Sequence, residues 1–155
     1  MNYYFSKGNN LISHHIIDLI NSAQKSIDIA IYSLTKKEIV AAIINAKNRG
    51  VEVRLITDRR ESQTPYEKKQ LILLKNNNIP IKINSHSGLM HLKITIVDSN
   101  FIVFGSYNYT DAATYDNDEI IAIINDKTIA IDFKNYFENL WSNSKRFYDW
   151  APKPS

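Results

Sequence analysis

Two kinds of apolar spacing alternate along this chain, and that alternation limits its fold more than any other feature. Ile27, Ile29 and Ile31 recur at every second residue, which places them on one face of a strand. Just before them Ile12, Ile16, Leu19, Ile20 and Ala23 follow helical spacing, so a helix is expected over 11–25 and a buried strand over 27–33. Thr35-Lys36-Lys37-Glu38 has the capping-box pattern, opening a helix through Lys47 that Gly50 ends, and a strand is expected over 51–57. Thr64-Pro65-Tyr66-Glu67 repeats the capping signal with proline at the first helical position; Asn76-Asn77-Asn78 breaks that helix after about Lys75. Further strands are expected at 1–5, 79–83, 92–97, 101–104 and 118–124. A last helix sets Ile129, Phe133, Phe137, Leu140 and Trp141 on a core-facing stripe. The expected class is α/β, a mixed β-sheet flanked by helices on its faces. At 155 residues, with no linker or internal repeat, the chain reads as one domain over 1–155 with a frayed tail at 151–155.

Composition excludes some chemistry and leaves other choices open. There are no cysteines, so disulfides and thiol-ligated zinc are excluded, while the redox compartment stays open. Net charge is +3 with a sequence pI near 9.0, which suits an ordinary soluble surface as well as a phosphate-binding face. The stretch after Met1 lacks the basic-then-apolar pattern of a signal peptide, and no apolar run reaches membrane-spanning length. Localisation stays unassigned, because an exported form that had lost its leader would read the same.

The chemistry concentrates in His91-Leu92-Lys93, Asp98 and Gly105-Ser106-Tyr107-Asn108. His91 and Lys93 are two apart on a strand and share a face, whereas Asp98 has the opposite parity and reads as a largely structural turn residue. If Ser99-Asn100 forms a two-residue hairpin turn, Lys93 faces Ser106 and His91 faces Asn108, with cross-strand Cβ atoms within about 5.5 Å. One patch then holds an imidazole, an ammonium, a hydroxyl and a carboxamide. An imidazole attacks or donates a proton near neutral pH, and the other three supply donors to the non-bridging oxygens of a phosphate. No run of carboxylates accompanies them, so neither a two-metal clamp nor any cofactor is expected. Each residue alone has a plain reading: a packed or solvated histidine, a surface lysine, turn-forming serine and asparagine.

The spacing H-x-K-x4-D-x6-G-S-x-N resembles the signature of the phospholipase D superfamily. Tyr32-Ser33-Leu34-Thr35, and Arg49-Gly50-Val51-Glu52-Val53-Arg54 leading to Asp58, extend the resemblance over most of the chain. The signature occurs once, since His14, His15 and His86 lack the following lysine and aspartate. That copy number resembles the small single-motif endonucleases of bacteria and, more distantly, the Zucchini and mitochondrial cardiolipin hydrolase branch. The resemblance implies a symmetric homodimer and a metal-independent phosphodiesterase acting on DNA or RNA. In it, His91 attacks phosphorus and its mate protonates the leaving oxygen. It further implies that Lys93 and Asn108 hold the phosphate, that Ser106 supports them, and that Glu119 matches a carboxylate orienting the histidine. Asp98 enters the site set as the signature's aspartate. Arg59 and Arg60 are expected beside the groove as substrate contacts, with Tyr109 and, less directly, Tyr107, His86 and Ser87. Two rivals stay open: a phospholipase or cardiolipin hydrolase using the same centre, and a non-catalytic nucleic-acid-binding module. DNA against RNA, and single against double strands, are not decided by the sequence.

Overall fold

A computed structural model describes residues 1–153. The isoleucine-rich run becomes β2 (Ser26–Ile31), and its parallel neighbours follow from two helical crossovers. α2 (Lys37–Asn48) leads to β3 (Glu52–Thr57), and α3 (Pro65–Asn76) leads to β4 (Ile81–Asn84). On its other side β2 pairs antiparallel with β5 (Lys93–Val97), which turns into β6 (Phe101–Gly105) and then β7 (Ile120–Asn125). β1 (Asn2–Phe5) and β8 (Phe147–Asp149) close the two edges, giving the order β1-β7-β6-β5-β2-β3-β4-β8.

Alternation along β2 sorts the two faces. Ile27, Ile29 and Ile31 are fully buried against Ile12, Ile16 and Ile20 of α1 (Ile12–Ser22) and Ile39 and Ile43 of α2. Burying each such side chain stabilises the fold by about 1.5–3 kcal/mol. On the opposite face Ala30, Ile56, Ile96 and Ile102 pack with Phe137 of α4 (Lys127–Trp141). Asp28 also points to that face and is buried there. Arg54 Nε and Lys134 Nζ each reach its carboxylate at 2.8 Å, so the buried charge is paired. The expected mixed sheet with helices on both faces is the fold found. Among the described residues no helix is long and apolar enough to cross a membrane.

Local expectations change where tertiary contacts outbid local signals. Neither capping box forms: α2 starts after Lys36 without a side-chain cap, and the Thr64 hydroxyl donates to Glu61 O at 2.8 Å. Glu67, read as a capping residue, turns inward instead. Pro65 does take the first position of α3. β8 and a π-helical turn at Ala112–Asp116 had no periodic signal. Residues 151–153 have no regular structure; the remainder of the expected frayed tail, 154 and 155, lies outside the described residues.

The β5–β6 hairpin is shifted by one residue from the expected register. Val97 pairs with Phe101, so the loop holds residues 98–100, and Lys93 falls in line with Gly105 rather than Ser106. Asp98 and Ser99 adopt left-handed conformations, with φ of 56° and 52°. The Asp98 carboxylate accepts from the backbone N–H groups of Gln24, Lys25 and Ser26, at 2.7 Å for Lys25, and this fixes the turn against the start of β2. Those hydrogen bonds hold its pKa below the ordinary 3.8 despite partial burial, which acts the other way.

Asp98→Asn preserves the shape but not the charge, and should cost about 1–3 kcal/mol in urea denaturation at pH 7. A depressed carboxylate contributes fully above its unfolded pKa near 3.8 and loses that contribution as pH falls through the lower folded value. The gap between variant and wild type should therefore close in acid; an equal gap at pH 7 and pH 3 would count against this anchor.

Candidate active site

The parallel strands β2 and β3 end at the same edge of the sheet where β5 begins, β6 ends and β7 begins. Open α/β sheets place ligands outside the carboxyl ends of their parallel strands, and here the chemistry-bearing residues collect at that edge. Lys93 pairs with Ile31, and Tyr32 donates its backbone N–H to Leu92 O at 3.0 Å, which brings Tyr32 beside His91. Their ring centroids lie 4.6 Å apart. Lys93 Nζ sits 3.1 Å from His91 Nδ1, 2.9 Å from His91 O and 5.5 Å from the centre of the Tyr32 ring. His91 is exposed and Lys93 is half-buried. Partial burial lowers the Lys93 pKa, and the charge of Glu119 opposes that shift.

Ser106 and Asn108 are placed by different neighbours. Ser106 donates its N–H to Ile120 O at 3.0 Å, and its Oγ accepts from Ile120 N–H at 3.1 Å. Gly105 makes that approach feasible, because a Cβ there would lie 2.1 Å from Ile120 O. Asn108 Oδ1 accepts from the N–H of Ser33, the residue after Tyr32, at 3.3 Å, which leaves its amide nitrogen as a donor. Glu119 is half-buried just before β7, and its backbone is clamped by Ser6, whose Oγ accepts from Glu119 N–H at 2.9 Å. The hydrogen-bonding partner of the imidazole here is Lys93, so Glu119 acts on the centre through the ammonium.

Two of the expected site residues lie elsewhere. Asp98 is seven residues from His91 along an extended segment, roughly 20 Å at strand rise, and its carboxylate is occupied by the amides of residues 24–26. It anchors the fold and does not reach the reacting group. Tyr109 is buried in the core with its hydroxyl on Thr95, and Tyr107 is equally buried on Thr114. Neither presents a ring to a ligand; a period-two reading of 105–109 sees no turn there, and the change of direction is what takes Tyr109 inward. The side chains of Arg59 and Arg60 line a separate hollow with Lys68 and Tyr148, and only their loop is tied to the His91 segment. Buried Asp58 accepts from Arg60 N–H and from Met90 N–H, both at 2.9 Å, which ties the arginine loop to the residue before His91.

Glu67 is the member that sequence reading missed. It is fully buried, its carboxyl accepts from Leu34 N–H and contacts the Thr57 hydroxyl, and burial pushes its pKa up to about 8. It therefore holds the segment 32–34 on which both His91 and Asn108 lean. Its spacing from Thr64 matched a surface capping box, and nothing local marked it as buried. Among the described residues no three His, Asp or Glu side chains converge as a metal site.

The family described as cardiolipin synthase, PLD-like domain, matches residues 16–141. The chain belongs to the phospholipase D superfamily. Its fold matches the crystal structure of Nuc from Salmonella typhimurium, a phospholipase D family member, with a TM-score of 0.89 at 28% identity over 97% of both chains. NucT from Helicobacter pylori has the same fold, with a TM-score of 0.79 at 23% identity over 90% of this chain and 95% of its own. In sequence the chain is 32% identical to a phospholipase D of Rickettsia typhi over 85% of its length. It is 30% identical to the mitochondrial cardiolipin hydrolase of Xenopus tropicalis over 87%. It spans 64% of each of those two relatives. In this phospholipase D superfamily member His91, Lys93, Ser106, Asn108 and Glu119 all come to one sheet edge, and Asp98 does not.

A buried acid with a raised pKa gives a pH signature. Between an unfolded value near 4.5 and a folded value of about 8, the native state binds the extra proton, so stability should fall as pH rises through that window. Glu67→Gln removes the titration. Its denaturation midpoint should be flatter than that of wild type between pH 5 and pH 8; parallel curves would show that Glu67 stays charged.

Proposed function

We propose that this protein is a metal-independent phosphodiesterase that cuts nucleic-acid backbones through His91 as nucleophile, with two copies completing one active site. The observation that carries the reading is the contact of Lys93 Nζ with His91 Nδ1 at the strand ends, with the Asn108 amide held on Ser33, the residue after Tyr32. An ammonium resting on a ring nitrogen occupies its lone pair in the free protein. An arriving phosphate offers the ammonium a charged acceptor, so Lys93 turns to the phosphate oxygens and frees the imidazole to attack.

In the first step a His91 ring nitrogen bonds to phosphorus, the bond to the leaving oxygen breaks, and His91 of a second copy gives that oxygen its proton. In the second step water attacks phosphorus, the second imidazole takes the water proton, and the phosphorus–nitrogen bond breaks. Lys93 and Asn108 stabilise the non-bridging oxygens, with Ser106 supporting the β6 end and Glu119 balancing the lysine charge. The donor set is cationic and amide-rich, which suits charge stabilisation without a metal.

The second copy has a surface to cover. Beside Ser106 and Glu119 lies a hollow lined by Phe5 and Ile120, which are 56% and 40% exposed. An isologous contact there would bring the two imidazoles toward one phosphorus. Cations support a nucleic-acid substrate: Arg59 and Arg60 follow Asp58, which is tied to the residue before His91, and would serve as contacts for flanking phosphates. The names of the curated relatives favour a second reading, a phospholipid substrate at the same centre.

His91→Ala should abolish cleavage of labelled DNA and RNA oligonucleotides while the protein still sediments as a dimer, and EDTA should leave the wild-type rate nearly unchanged. Chelation that stops turnover, with magnesium restoring it, would overturn the metal-free mechanism. Turnover of cardiolipin vesicles with no oligonucleotide cleaved would move the assignment to lipid.

A further inference from the structure

Behind the catalytic edge a row of buried polar groups runs from α3 to the residue that packs on His91. Glu67 of α3 and Thr57 at the end of β3 are both fully buried. Glu67 Oε1 accepts from Leu34 N–H, and Oε2 lies 3.2 Å from Thr57 Oγ1. Thr57 Oγ1 in turn lies 3.4 Å from Tyr32 O. Among the described residues Glu67 belongs to no ion pair. The charges that act on it are Asp58, just after β3, and Glu61, in the turn before α3, and both are negative. After β2 the titratable neighbour is the Tyr32 phenol, itself turned to Glu61, and Lys36 ahead of α2 is committed to Asp111 and Glu38. Burial among negative charges favours the neutral acid, in line with its pKa of about 8.

Donor and acceptor accounting gives that row a direction. A neutral carboxyl carries one O–H, whereas a carboxylate only accepts. Leu34 N–H takes Oε1 as its acceptor, which leaves the proton for Oε2, facing the Thr57 hydroxyl oxygen. The Thr57 proton then points to Tyr32 O, and every group in the row is satisfied. Ionisation of Glu67 reverses the order: Thr57 turns its proton to Oε2, and the Tyr32 carbonyl loses its side-chain donor. The change lands beside the reacting group. The Tyr32 ring centroid is 4.6 Å from that of His91, and Ser33, the next residue, donates its N–H to Asn108 Oδ1.

We propose that Glu67 is a positioning residue of the phosphodiesterase centre: as the neutral acid it donates to Thr57, Thr57 donates to Tyr32 O, and this row holds Tyr32 against the attacking imidazole. Loss of the Glu67 proton releases Tyr32, so the nucleophile is well placed only below the pH at which the buried acid ionises. Glu67 touches neither the substrate nor the His91 ring and acts through residues 32 and 33. This deepens the proposed function and rests on His91 as nucleophile, but not on the choice between nucleic acid and lipid. A buried acid that only held the fold would change stability; a positioning acid also changes kcat.

The test is the pH dependence of kcat and KM for cleavage of a fluorescent single-stranded DNA oligonucleotide by the full chain and its Glu67→Gln, Thr57→Val and Thr57→Ser variants. Glutamine keeps a donor and an acceptor and cannot ionise. The kcat of E67Q relative to wild type should therefore rise about tenfold between about pH 6.5 and pH 9, where roughly nine-tenths of a group titrating at about 8 is ionised. The imidazoles are common to both proteins and cancel in that ratio. T57V keeps the shape but cuts the row, and should lower kcat about tenfold at pH 7 with KM nearly unchanged; T57S should restore it. Near-UV circular dichroism of wild type should stay constant to pH 9, and a signal lost in step with kcat would show that Glu67 merely holds the fold. If the oligonucleotide is cut but the E67Q ratio is flat with pH, or T57V matches T57S, the positioning role is wrong and the nuclease reading stands. If wild type turns over cardiolipin vesicles and not the oligonucleotide, the nucleic-acid reading fails, and the same ratio on vesicles decides the positioning role. Turnover of neither substrate would overturn both.

Discussion

The antiparallel pairing of β5 with β2 is the constraint on which the site depends. β2 is the most deeply buried strand, held on one face by α1 and α2 and on the other beneath α4, so its register is expensive to change. Pairing Ile31 with Lys93 sets Tyr32 beside His91, and the ring of one becomes a wall for the other. A slip of one residue would turn Lys93 to the opposite face and separate it from the imidazole. Asp98 defends that register from the far end of β5, where it gathers three amides at the start of β2. The aspartate of the signature thus reaches the chemistry only through the alignment of a strand.

The buried acids share a pattern that explains the electrostatics of the open edge. Asp58 is occupied by the amides of Arg60 and Met90, Glu67 by Leu34 and Thr57, and Asp28 by Arg54 and Lys134. Each organises backbone or pairs a charge on one of the faces, and the charge of Asp58 is also felt by Tyr32 and His86 beside His91. The accessible charges near His91 carry both signs: Arg60 and Arg146 are exposed, and half-buried Glu61 sits against Tyr32. Under the proposed function, a loop held by the Asp58 carboxylate beneath and presenting arginine above would be a preorganised anion contact, because the ordering cost is met in folding and not at binding.

Periodicity carried the strong elements. β2, β3 and α1 have runs long and regular enough that no competing contact overrides them; α4 forms as expected, but Ile129 of its expected core-facing stripe stays exposed while Ala130 is buried. The motif spacing was legible as well, since His91, Lys93, Ser106 and Asn108 need only one hairpin to meet. What failed to read were features decided by distant residues. Thr64 and Glu67 looked like a capping box because the pull of Leu34 N–H, 33 positions away, leaves no local trace. The hairpin register missed by one because Asp98 is drawn to residues 24–26 and takes a left-handed conformation there. Tyr109 looked like a groove aromatic, yet its backbone bonds to Ser33 and its hydroxyl bonds to Thr95, which carry it into the core. β8 is three residues long, too short for any period to show.

The proposed reaction asks more of the site than one copy supplies. In-line displacement at phosphorus puts the attacking and leaving atoms on opposite sides, so one imidazole cannot attack and also protonate the departing oxygen. Within the chain the other imidazoles are poor donors for that task. His15 is stacked on Tyr4 at 3.5 Å, beneath the β1 edge, and His14 lies on the same helix. His86 shares the hollow with His91, but burial and the Arg146 charge favour its neutral form, the opposite of what a general acid requires. His91 itself is exposed, so the proposed mechanism draws its acid from a second copy of the same residue. In the proposed dimer, symmetry would make each imidazole nucleophile for one approach of the substrate and acid for the other. The exposed Phe5 and Ile120, beside Ser106 and Glu119, lie where such a pairing would hide them.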